Sequence, residues 1–214
     1  MDPSRATQEL KVIRELMERP VRYTTQSGLA GILAGLIALM GLATDAWFSR
    51  HYPPVKAVKA NLAVWSAVFV AAFLAATVCT RLREKPRNMP FWSSAKKRIL
   101  MTILPPFVAG VGLTLVIVYR WWCGAGPNMW GLIPPIWMTF YGVACWQVGE
   151  FSIVELRYLG VAFILSGVAV AMLPHAGPMG PDWLCLEMPY WTLGITFGGY
   201  HIAYGLVVWA RHGG

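Results

Sequence analysis

A histidine stands near the middle of an apolar stretch long enough to cross a bilayer, Pro189–Ala210, which reads PYWTLGITFGGYHIAYGLVVWA. An imidazole at that depth, His201, has the chemistry to bind a ligand, relay protons or ligate haem. It can equally do no more than hydrogen-bond across a helix contact, because a polar group in lipid needs a partner whether or not it reacts. Gly194, Gly198, His201 and Gly205 follow at spacings of four, three and four, so they share one helical face. Small residues at that spacing let a second helix approach closely, which points His201 into a helix contact or a cavity. Tyr204, Thr192 and Thr196 in the same stretch, with Tyr141, Cys145 and Gln147 in an earlier one, supply polar groups for a pocket. Trp137 and Trp146 would help to line it, although tryptophans in a span also serve as packing or as an interfacial belt.

Haem held by two imidazoles needs a second histidine at comparable depth. His51, His175 and His212 fall in loops or at the terminus, so haem is disfavoured and no cofactor is expected. Cys79 and Cys145 belong to the inner halves of their spans, whereas Cys123 and Cys185 fall in outer loops. In an oxidising exterior those two are candidates for a disulfide tying the third loop to the fifth. Free thiols, or a metal site with His175 and Asp182, are the alternatives. No short CxxC or HxxH spacing supports a metal, and none is expected. Two ion pairs are candidates: Asp45 with Arg120 at the outer ends of two spans, and Glu150 with Arg157 across an inner turn. No paired carboxylates lie at mid-membrane depth, and there is no Walker, dinucleotide, GxSxG or HExxH motif. The residues therefore do not point to an enzyme.

The elements that must position these side chains follow from composition. Of 214 residues, 57% are hydrophobic and 13% charged, about half the charged share of a soluble domain. Most of the mass belongs in a bilayer. Apolar runs predict six spans, at Gly28–Phe48, Asn61–Thr80, Ile99–Tyr119, Trp130–Val148, Leu156–Leu173 and Pro189–Ala210. Gly31 and Gly35 form a GxxxG pair in the first, facing another protomer or the protein's own bundle. Pro105-Pro106 is expected to interrupt the third span, and Pro134-Pro135 to start the fourth. Residues 1–27 predict a cytoplasmic amphipathic helix and linker, with Leu10, Ile13, Leu16 and Met17 on one face and Lys11–Glu15, Arg14–Glu18 and Glu15–Arg19 pairs on another. Fourteen Lys and Arg fall on one side of this topology and four on the other. That places both termini, including the tail 211–214, in the cytoplasm. The net charge of +8 belongs to the membrane surface rather than to nucleic acid.

Three stretches carry a resemblance: VIRELMERPVRYTT leading into a glycine-rich first span, GLIPPIWMTFYGVACWQVGEFSIVELRYLG (Gly131–Gly160), and FGGYHIAYGLVVWARHGG (Phe197–Gly214). In order and spacing the chain resembles a group of uncharacterised bacterial six-span membrane proteins, often encoded beside winged-helix-type regulators. The resemblance implies a bacterial inner-membrane location and a sensing or regulatory role, and directs attention to the stretch around His201. It departs at Glu155-Leu156, where a proline-containing turn would be expected. The expectation is an all-helical integral membrane protein, a six-helix bundle with an N-terminal cytoplasmic amphipathic helix. Its partners are the lipid bilayer and a protein partner or second copy, and it acts as a regulatory or accessory subunit. A small transporter or a redox subunit is the alternative.

Overall fold

A computed structural model describes residues 27–87, 92–124, 129–173 and 191–212. The expected N-terminal helix, Cys185, His175 and Asp182 lie outside the described residues. Six helices make up the rest: α1 (Gly28–His51), α2 (Pro54–Glu84), α3 (Ser94–Trp122), α4 (Ile133–Gly149), α5 (Val154–Ala171) and α6 (Trp191–His212). No strand occurs among the described residues. All except α4 are long and apolar enough to cross a membrane. With 17 residues α4 is shorter, but a 3-10 turn, Trp130–Leu132, leads directly into it.

The helix starts follow local chemistry. Pro54 opens α2 and Pro134-Pro135 opens α4, where the missing N–H groups would lack helical partners anyway. Ser93 caps α3 by accepting from the Lys96 N–H at 3.2 Å. The helices overrun the apolar spans at several ends, so Lys56, Lys59, Arg81 and Arg83 are helical. Hydrophobicity stops where hydrocarbon stops, whereas backbone pairing continues into the interface. Pro105-Pro106 sits inside a continuous α3 and does not interrupt it.

Helix α1 is the inner member of one layer. Its buried residues Gly28, Gly31, Gly35, Ala38, Leu42 and Asp45 recur at alternating spacings of three and four. A Cβ at Gly35 would lie 2.6 Å from the Gly198 carbonyl oxygen of α6, and one at Gly28 2.6 Å from that of Gly205. The Gly31/Gly35 face is thus taken by the protein's own α6. A second crossing joins α4 to α5, where a Cβ at Gly142 would lie 2.7 Å from the Gly160 carbonyl oxygen. Helix α3 packs on α4, and α2 on α1. Between α2 and α3 the contact is made by rings, with Phe69 and Phe107 centroids 5.2 Å apart.

The main core joins α4, α5 and α6 through Met138, Leu159, Phe163 and Val208. One end of the bundle is a basic face. There Arg83 donates to the His212 carbonyl at 2.7 Å, and Lys96 pairs with Glu84. The Arg98 guanidinium lies 4.5 Å over the Phe151 ring.

Candidate functional site

Around His201, α6 leaves regular geometry. Thr196–Tyr200 forms a π-turn, and the His201 N–H bonds the Gly198 carbonyl. Such turns loosen the i→i−4 ladder and recur at functional positions. Within the loosened turn the Phe197 carbonyl takes a side-chain donor, His201 Nδ1–H, at 2.8 Å. A carbonyl only accepts, so the proton of the neutral ring is on Nδ1 and Nε2 is left as an acceptor. Tyr141 of α4 fills that role, its hydroxyl donating to Nε2 at 2.6 Å. Both ring nitrogens are therefore engaged, and the ring is buried.

Aromatic rings enclose the pair. Phe163 of α5 is fully buried with its centroid 5.0 Å from Tyr141 and 5.5 Å from His201. Phe197 stacks on His201 at 5.7 Å and 15°. One turn along α4, the Cys145 thiol is buried in the same core that Tyr141 packs against. Next to this group, Ser166 Oγ and Tyr200 Oη lie 2.8 Å apart, joining α5 to α6. Thr196 returns its hydroxyl to the Thr192 carbonyl at 2.7 Å. The result is a buried cluster from three helices in which an imidazole and a phenol hold one another.

The expected residues divide accordingly. Tyr141 and His201 meet, and Cys145 and Tyr204 belong to the same core cluster. Gly198 and Gly205 serve the α1 contact and not the ring. Gln147 is exposed and takes no part, because six residues after Tyr141 a helix has turned well away from the same face. Trp137 and Trp146 are likewise elsewhere: Trp137 Nε1 donates to Thr114 Oγ1 at 3.1 Å, and Trp146 lies under the Arg157 guanidinium at 5.1 Å. With Val143 and Ile164, Trp146 lines an apolar groove on the outer side of α4 and α5.

The ion pairs divide too. Glu150 and Arg157 meet at 3.2 Å, both well exposed, a pair of the kind worth about 0–1 kcal/mol. Asp45 and Arg120 do not meet: Asp45 is buried in α1, and Arg120 is exposed at the end of α3, which packs on α4. Sequence reasoning missed a pair with more structure. Glu155 of α5 is buried and accepts from Arg211 Nη1 at 3.1 Å, with His212 Nε2 at 3.3 Å. Its signal was position, one acidic residue at a helix start opposite a basic helix end.

The second half of the expected disulfide, Cys185, lies outside the described residues, and Cys123 is exposed in the turn after α3. A membrane-impermeant maleimide is expected to label Cys123 without prior reduction, and Cys123→Ser to remove that label. Labelling that appears only after a reductant is added would instead indicate the disulfide.

A haem axial position at His201 would need the Nε2 lone pair, which Tyr141 occupies. No group of three or more metal-ligating side chains occurs among the described residues. No family model, curated protein or solved structure matches this chain.

Proposed function

We propose that this chain is a non-enzymatic regulatory or sensory protein, or an accessory subunit of a membrane complex, in a bacterial inner membrane. In this reading all six helices span, with α4 and its leading turn as the short fourth span. The basic face lies in the cytoplasm, as the excess of Lys and Arg there favours. The N-terminal segment and that face are then the surfaces available to a protein partner.

The observation that carries the reading is the closure of the interior around His201. Both ring nitrogens are spent on protein groups, and two pairs of helices meet backbone to backbone at glycines. A catalyst or carrier needs a reactive group exposed to substrate, and this group is enclosed. Helix α3 also runs unbroken through Pro105-Pro106, without the discontinuity on which transporters build their binding sites.

The test is purification from native membranes in a mild detergent, with co-purifying proteins quantified. One stoichiometric partner, lost from His201→Ala although that variant inserts at normal yield, is expected. Recovery of the protein alone, together with solute uptake by liposomes containing it, would overturn the proposal in favour of transport.

A further inference from the structure

Where α4 turns into α5, a charged pair and an apolar groove share one tryptophan. Arg157 Nη2 and Glu150 Oε1 lie 3.2 Å apart. That contact spends one atom of each group, and among the described residues no other donor or acceptor engages either side chain. Glu150 Oε2 and the other guanidinium N–H groups therefore remain for a further partner. The pair is held in place from the α4 side. Residue 149 is glycine, and a Cβ there would strike the Arg157 stem, so the stem lies directly on α4 backbone. From that position the guanidinium stands 5.1 Å over the Trp146 ring.

The same indole walls the groove of about 310 Å³ that Trp146 forms with Val143 and Ile164. Its size is at the small end of ligand cavities, and its walls are apolar. Val143 stands seven residues before Glu150, and Ile164 seven after Arg157. Both are therefore about 10 Å further along their helices, away from the turn. The groove thus runs from the charged pair toward the middle of the bundle. A cationic and an anionic group stand at its head, and hydrocarbon lines it below, which is the layout of a single phospholipid.

We propose that this is a binding site for one zwitterionic phospholipid with a primary ammonium head, phosphatidylethanolamine. The phosphate accepts from the remaining N–H groups of Arg157, the ammonium donates to Glu150 Oε2, and a stretch of acyl chain lies in the groove against Trp146. Charge complementarity selects this occupant. A phosphatidylglycerol head answers Arg157 but brings no cation to Glu150. A choline head brings the positive charge but no N–H to donate. Only a head with both a phosphate and an ammonium answers the two groups at once. The Arg157 and Glu150 side chains are 40% and 52% exposed, so the head binds beside the pair without opening it. The site goes beyond the regulatory reading and needs no protein partner. It requires only that α4 lie in a bilayer.

The experiment places the full chain in phosphatidylcholine liposomes with a trace of phosphatidylethanolamine that carries a photoreactive group on its acyl chain. Cross-linked residues are mapped by peptide mass spectrometry. Cross-links are expected to concentrate at Val143, Trp146 and Ile164. Unlabelled phosphatidylethanolamine should displace them about tenfold better than phosphatidylcholine or phosphatidylglycerol, the factor for one charge-assisted hydrogen bond. Glu150→Gln should abolish that preference, and Arg157→Gln should lower the cross-linking about tenfold. Both side chains are exposed, so these variants should fold. Arg120→Gln, exposed at the end of α3, should change neither reading. Uniform labelling of all lipid-facing helices, or displacement by either other lipid as well as by phosphatidylethanolamine, overturns the proposal. So does a Glu150→Gln protein that keeps the preference. A groove left unlabelled while the other faces are labelled means that protein covers it, and overturns the proposal too. The absence of any lipid label along α4 would overturn its spanning as well, whereas lost head selectivity overturns this site alone.

Discussion

Gly205→Leu is expected to cost this protein its folded bundle, whereas Gly112→Leu should leave it intact. A Cβ at Gly205 would lie 2.6 Å from both the Gly28 carbonyl oxygen and the Ile32 nitrogen. Both are backbone atoms of α1, so no side chain can rotate aside and the helices themselves must separate. Overpacking of a tight core typically costs about 1–3 kcal/mol, and a rigid backbone neighbour puts this case at the upper end or beyond. For a chain of this size about 3 kcal/mol corresponds to a melting point lowered by roughly 6–12 °C. At Gly112 a Cβ meets nothing within 4 Å, and leucine is the better helix former by about 1 kcal/mol. Thermal unfolding in detergent of the two variants side by side checks this. Equal shifts would mean that α1 and α6 do not meet at these glycines.

The second large effect is coupling between Tyr141 and His201. Tyr141→Phe keeps the ring and removes only the oxygen, leaving Nε2 a buried acceptor without its donor. That costs about 1–3 kcal/mol. His201→Leu removes the ring nitrogens and leaves the Tyr141 hydroxyl and the Phe197 carbonyl to find other partners. The double variant should be less destabilised than the sum of the singles, by roughly 0.6–1.7 kcal/mol, the range measured for hydrogen bonds between membrane helices. A double-mutant cycle read by denaturant unfolding gives the number. Strict additivity would show that the two side chains are not bonded.

Parts of this arrangement are legible in the order of residues alone. The depth of His201 in an apolar run and the glycine spacing around it lead to a helix contact, and α1 supplies that contact. The partner on the ring is not legible. Tyr141 and His201 are 60 residues apart, and alternating spans only require that the fourth and sixth run the same way. Which spans are lateral neighbours is settled by packing among α4, α5 and α6, which periodicity along one helix does not encode. Gln147 was misplaced for a reason the sequence does contain: from Tyr141, residue 145 stays on the same face and residue 147 does not. The second glycine crossing is also written there and was overlooked. Gly142 and Gly149 in α4, and Gly160 and Gly167 in α5, each recur after seven residues. The π-turn leaves a weaker trace, the adjacent Gly198 and Gly199 just ahead of the histidine, where a helical ladder shifts most readily.

The pairing of α1 with α6 also sets an order of events during biosynthesis. Within the described bundle the earliest-made helix, α1, is finished against the latest-made, α6. From Gly35 to Gly205 some 170 residues must be made, which takes roughly 10–30 s at ordinary elongation rates. Throughout that interval the glycine face of α1 borders lipid or the insertion machinery, with nothing of its own chain to cover it. A chain that stops before α6 therefore yields not a smaller bundle but an open one, with the glycine seam of α1 uncovered.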